Sequence, residues 1–148
     1  MAVLLGACKE TTKYSITYAE NTTGHAISGR AYYKGNFNEY DSFELAPYEK
    51  KQIYRIGGWG SKDGKGLSYG EMAIINDSIL VIFDHTDTIA HYKATLIGGA
   101  KHFYPFSSTR NLYNEANYIE TLIEKSSNNT NHYFLYTFTE QDYLDAKQ

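Results

Sequence analysis

Cysteine is nearly absent from this sequence: one residue, Cys8, among 148. A single thiol excludes an intramolecular disulfide framework. Proline is almost as scarce, with two residues, and there is one tryptophan. No stretch reaches the ~18 consecutive apolar residues that a membrane-spanning helix needs. Positive charge is not in excess either. Fourteen Lys and Arg against seventeen Asp and Glu leave a net charge of −3, without the basic footprint of a nucleic-acid binder. With 21% charged and 42% hydrophobic residues, the chain is neither charged enough nor apolar-poor enough to be disordered. Its length suits one core, and two independent domains would be cramped.

Most signatures of catalysis are also missing. The segment Gly57-Gly58-Trp59-Gly60-Ser61-Lys62-Asp63-Gly64-Lys65-Gly66 is rich enough in glycine to read as a flexible loop. It does not make a P-loop: Trp59 stands five residues before Gly64, and Gly66 follows Lys65. It does not make a dinucleotide fingerprint, because Asp63 occupies the third glycine position. HExxH, CxxC and EF-hand patterns do not occur, and Gly66-Leu67-Ser68-Tyr69-Gly70, which fits the letters of GxSxG, follows a loop and not the strand that a nucleophile elbow requires. The expectation is a protein that is not an enzyme and holds no cofactor. Asp84, His85, Asp87 and His91 form the densest group of ligand-type residues. Asp87 and His91 share strand parity, so both point to one face. Aspartate is common in turns because it bonds nearby backbone, so an ordinary polar turn is expected there and no metal.

Tyrosine is what the sequence has in plenty, with fifteen residues. It forms strands well and combines an apolar body with a polar rim. That suits a half-solvated sheet, and equally a recognition surface. Strand-type runs cover 13–18, 25–33, 40–45, 50–56, 78–83, 88–93 and 133–139, separated by polar turns. In 50–56, Lys51, Ile53 and Arg55 fall on one side, with Gln52, Tyr54 and Ile56 on the other. The apolar run 78–83 reads as a central strand buried on both faces. Leu112, Ala116, Ile119 and Ile123 fall at helical spacing and predict a helix over 111–125, the alternative being a strand over 118–124. Thr139-Glu140-Gln141-Asp142 resembles a capping box opening a final helix, 141–147. The expected fold is mainly β: an antiparallel β-sandwich, Ig-like or related, or else a small β-barrel.

Trp59 is the most suggestive single residue. In a glycine-rich loop it either folds back onto the core as an anchor or offers an exposed stacking surface for a sugar ring. Tyr54 and Tyr69 flank the loop and extend any such surface.

Leu5-Gly6-Ala7-Cys8 resembles a bacterial lipobox, in which the cysteine becomes the acylated first residue of the mature protein. The apolar run before it is shorter than a full secretory core and reads as a remnant. The alternative is a short apolar strand ending in a buried free thiol. Lys9-Glu10 after the cysteine partly resembles a surface-export signal. The ending Tyr133-Phe134-Leu135-Tyr136-Thr137-Phe138-Thr139-Glu140-Gln141-Asp142-Tyr143-Leu144-Asp145-Ala146 is similar to that of small Bacteroidetes-type outer-membrane or surface lipoproteins. Asp77-Ser78-Ile79 and Asp87-Thr88-Ile89 resemble the O-glycosylation acceptors of the same group. The resemblance implies a signal-peptide remnant at 1–7, a lipidated Cys8 and tether at 8–12, and a single β-rich domain at 13–148. It further implies a lipid-anchored place at the outer membrane or cell surface. The partners expected are the membrane, through the lipid on Cys8, and a glycan or protein.

Overall fold

Residues 12–59, 76–93 and 100–148 are those the computed structural model describes. They form nine strands: β1 (Thr12–Asn21), β2 (Ile27–Tyr33), β3 (Asn36–Leu45), β4 (Lys50–Trp59), β5 (Ser78–Phe83), β6 (Asp87–Tyr92), β7 (Phe103–Tyr104), β8 (Ile119–Lys125) and β9 (Asn129–Phe138). One helix, α1 (Glu140–Lys147), follows.

Local chemistry sets the tight turns. Lys34 and Gly35 both have positive φ, 48° and 78°, in the two-residue loop joining β2 to β3. Such a turn matches the right-handed twist of the flanking strands. It also lets β3 start at Asn36, four residues earlier than the sequence suggests. The turn after β5 likewise has Asp84 and His85 at φ 47° and 66°.

The strands form two sheets, one in the order β4-β1-β9-β8, the other β3-β2-β5-β6-β7. Neither closes into a barrel among the described residues, and the sandwich expectation holds. Each sheet is mixed, however, with β1 parallel to β9 and β6 parallel to β7. A parallel pair needs a long crossover. Between β1 and β9 the chain builds the entire second sheet before returning alongside its first strand.

The core lies between the sheets. Ile79, Val81 and Phe83 of β5 are fully buried, while Leu80 and Ile82 on its other face are half-buried. Phe43 of one sheet meets Phe138 of the other at 6.1 Å between ring centroids. Gly29 makes room for this: a Cβ there would lie 2.2 Å from the Phe43 ring.

Three expectations are corrected. Residues 111–125 are not a helix. Leu112 and Tyr113 drop into the core, a single 3-10 turn follows at Glu115–Asn117, and Ile119–Lys125 then pairs with β9. β-branched Ile119, Thr121 and Ile123 suit a strand, and the turn at 126–128 delivers cross-strand partners at once. The alternation read in β4 also breaks, because Thr17 pairs with Tyr54 and Tyr18 with Gln52. Ile53 is the extra residue of a bulge, so Arg55 and Lys51 fall on opposite faces. Gly57, Gly58 and Trp59, expected in a loop, extend β4.

Candidate functional site

Alternation along β1 assigns its side chains to two faces. Ser15, Thr17, Ala19 and Asn21 are buried towards the second sheet. Tyr14, Ile16, Tyr18 and Glu20 occupy the outer face. The register carries this face onto β9, where Asn131, Tyr133 and Leu135 lie beside Tyr14, Ile16 and Tyr18. It continues onto β8 with Glu124, Leu122 and Ile119 opposite the same three residues of β9. On β4 it comprises Gly57, Arg55, Gln52 and Lys50.

Three tyrosines dominate this face. Tyr18 and Tyr133 lie with ring centroids 6.4 Å apart and planes tilted by 31°, a neighbouring aromatic pair. Tyr14 is laid across Gly57: a Cβ at that glycine would come within 2.5 Å of the Tyr14 ring, so only glycine allows the ring this close to the strand. Each ring has a charged neighbour. The Arg55 guanidinium carbon is 4.5 Å from the Tyr14 centroid, and Lys50 Nζ is 5.8 Å from that of Tyr18. The Tyr133 hydroxyl donates to Glu124 Oε2 at 2.6 Å. That bond to a carboxylate is the first cause holding the phenol above its ordinary pKa. A groove of about 300 Å³ runs between Tyr18, Lys50, Thr121, Leu122, Tyr133 and Leu135. Asn131 Oδ1, on the same face, is shielded and accepts no hydrogen bond from the described residues. Flat apolar rings framed by hydroxyl, amide, ammonium and carboxylate groups suit a ligand with alternating apolar and hydroxylated surfaces.

The expected ligand-binding residues distribute differently. Tyr54 pairs with Thr17 and so faces the interior. It is half-buried and packs against the core, and burial first, then the charge of Asp41, raises its phenol pKa. The described part of Trp59 is its backbone, paired with Thr12. Tyr69 and Cys8 lie outside the described residues. The residues 84–91 do not converge. His91 is buried, whereas the Asp84 carboxylate takes hydrogen bonds from His25 Nδ1 at 2.5 Å and the Ala26 N–H at 3.0 Å. No group of three or more His, Cys, Asp or Glu able to hold a metal occurs among the described residues.

Sequence reasoning missed Tyr14, Tyr18 and Tyr133 as a set, although a signal was present. Tyr14 and Tyr18 share parity within 13–18, but pattern alone does not say which face is buried. It also missed His25, stacked on Tyr143 at 3.6 Å with Nε2 3.8 Å from Glu140. Asp84 and His25 make a carboxylate–imidazole pair, and no hydroxyl nucleophile is bonded to the ring among the described residues. A second groove of about 460 Å³, beside α1 and lined in part by Leu80, Thr88, Lys101 and Lys147, has no tyrosine among the described residues that line it.

No family model, curated protein or solved structure matches this chain.

Proposed function

We propose that this chain is a lipid-anchored protein of the bacterial cell surface, acylated at Cys8, whose sandwich binds a glycan on the outer face of the β4-β1-β9-β8 sheet. It acts by binding and not by catalysis. The carrying observation is the neighbouring pair Tyr18 and Tyr133, extended by Tyr14 and flanked by Lys50, Arg55 and Glu124. A pyranose ring packs its C–H face on such rings while its hydroxyls reach the charged and amide groups at the margins.

Titration of the full chain against a panel of polysaccharides, followed calorimetrically, tests this reading. Binding is expected for at least one polymer. Tyr18→Ala and Tyr133→Ala should each weaken it by about tenfold, the equivalent of ~1.4 kcal/mol for a lost aromatic contact. Failure of every polymer to bind, or binding indifferent to both substitutions, overturns the glycan reading. The anchor is tested separately. Cells fed a fatty-acid analogue should label the wild-type protein and leave Cys8→Ser unlabelled.

A second reading, a structural, accessory or immunity-type subunit working through a protein interface, is favoured by one observation: every residue of β8 is exposed.

A further inference from the structure

The sheet carrying the tyrosines has two outer strands, and they are not alike. β4 is covered in part by contacts with β3 and carries Lys50, Lys51 and Arg55. Such charges are a usual defence of an unpaired edge. β8 pairs with β9 on one side and with no strand on the other among the described residues, so half of its N–H and C=O groups face outward. A bulge at Thr121 and three charged residues interrupt it. Even so, Ile119, Leu122 and Ile123 are 66%, 49% and 47% exposed. Three large aliphatic side chains on one seven-residue edge are an unfinished sheet.

We propose that β8 pairs with β8 of a second copy of this chain, antiparallel about a two-fold axis at Ile123. Antiparallel neighbours face each other in same-side pairs, and the sequence Ile-Glu-Thr-Leu-Ile-Glu-Lys complements itself in this register. Ile123 meets its own counterpart. Leu122 lies opposite Glu124 of the second copy, against the methylene stem. Lys125 lies opposite Thr121 of the second copy, next to Glu120. Glu120 and Lys125 both belong to the face shared with Phe134 and Thr130, so each lysine reaches a carboxylate across the seam. Glu120 is already fixed, because its carboxylate accepts from His132 Nδ1 at 2.6 Å. Moving the axis by one residue towards the C-terminus sets Glu124 against itself, which is repulsive. Opposite charges and apolar contacts coincide with Ile123 on the axis. The result joins two four-stranded sheets into one of eight strands, an isologous assembly of the commonest kind.

Sedimentation velocity on the full chain carrying Cys8→Ser, over micromolar to several hundred micromolar concentrations, tests the pairing. A monomer–dimer equilibrium is expected. Ile123→Lys should weaken it at least tenfold, and Lys125→Glu should weaken it as well, both with an unchanged far-ultraviolet circular dichroism spectrum. In the same background Ile123→Cys should oxidise to a covalent dimer, since directly opposed strand positions lie within disulfide reach. Thr86→Cys, in the β5–β6 turn, should not. The cysteine pair decides the matter if the lysine variant fails to fold. A chain monomeric throughout the range overturns the proposal, as does a dimer indifferent to Ile123→Lys and Lys125→Glu.

Discussion

His91 brings an imidazole into the interior with one nitrogen satisfied. Its Nδ1 accepts the Leu112 N–H at 3.0 Å, which fixes the neutral tautomer with the proton on Nε2. Nε2 has no hydrogen-bond partner among the described residues, and the ring meets Tyr104 edge to face, 5.2 Å between centroids. Burial, followed by the charge of Arg110, lowers its pKa to about 3, against ~6.5 in an unfolded chain. The sign follows directly. Below pH ~6.5 the unfolded chain takes up a proton that the native histidine refuses, so stability falls with pH until about pH 3. The slope is on the order of 1.4 kcal/mol per pH unit. Urea unfolding at neutral pH and at steps down to about pH 4.5 should show this decline, and His91→Gln should flatten it. Asp84 does not confuse the window, because its bond to His25 holds its pKa below the ordinary carboxylate value. An equal slope in both proteins would refute the assignment. The sequence already put His91 and Asp87 on one face; the register, His91 opposite Ile79 and Asp87 opposite Phe83, agrees. Depth was the missing quantity, since it depends on Leu112 and Tyr104, which the chain supplies from an irregular stretch.

At the scale of elements, α1 is the clearest case of a segment that cannot stand alone. Eight residues lie below the length at which an isolated helix is stable in water, and its buried residues are only Asp142 and Ala146. Docking rests on Tyr143, which packs against the core and meets Phe83 at 5.8 Å between ring centroids, and on polar contacts. Arg110 grips the Asp142 carboxylate through Nε at 2.9 Å and through Nη2, and Nη2 also donates to the Thr137 carbonyl at 2.9 Å. Tyr104 donates to Asp145 at 2.6 Å, and the Thr139 N–H to Asp142 at 2.7 Å. Removing the cation leaves a carboxylate 1% exposed without its charge partner, at a cost of ~3–5 kcal/mol. Arg110→Met should lower thermal stability accordingly, and amide exchange over 140–147 should accelerate more than in β5. Replacing both partners, Arg110→Met with Asp142→Leu, should recover part of the loss, because no buried charge remains. If the single and double substitutions are equally damaging, packing and not the ion pair holds the helix. The start of α1 was legible because capping chemistry is local: Thr139 and Asp142 are three residues apart. Arg110 was not, since nothing near it in the chain announces a partner on another element. The segment 119–125 failed for the complementary reason. Its apolar spacing fits a helix as well as a bulged strand, and the choice is made by β9.

For the whole molecule, the class of fold was readable and the connection order was not. Short alternating runs with polar turns determine that sheets form. Which strands become neighbours depends on Phe43 meeting Phe138, and on buried asparagines such as Asn111, whose side chain donates to the Tyr92 and Tyr104 carbonyls at 3.0 and 2.8 Å. The contact between Phe43 and Phe138 spans a distance that no window of sequence samples. The same organisation ties the two proposals together. A two-fold axis perpendicular to the sheet at β8 leaves the outer faces of both copies on one side, so Tyr18 and Tyr133 of each point the same way. Two sites facing one direction should engage a long polymer together. The second contact becomes intramolecular, and linked sites can gain 10²–10⁴-fold in apparent affinity without any new interaction. Wild-type protein should therefore hold an immobilised polysaccharide far more tightly than Ile123→Lys does, chiefly through slower dissociation. For a short oligosaccharide that fills one groove, the two proteins should be indistinguishable. Surface plasmon resonance with both ligand forms measures this. Equal retention of the two proteins on the polymer would show that the faces do not act together, even where both the dimer and the glycan site exist.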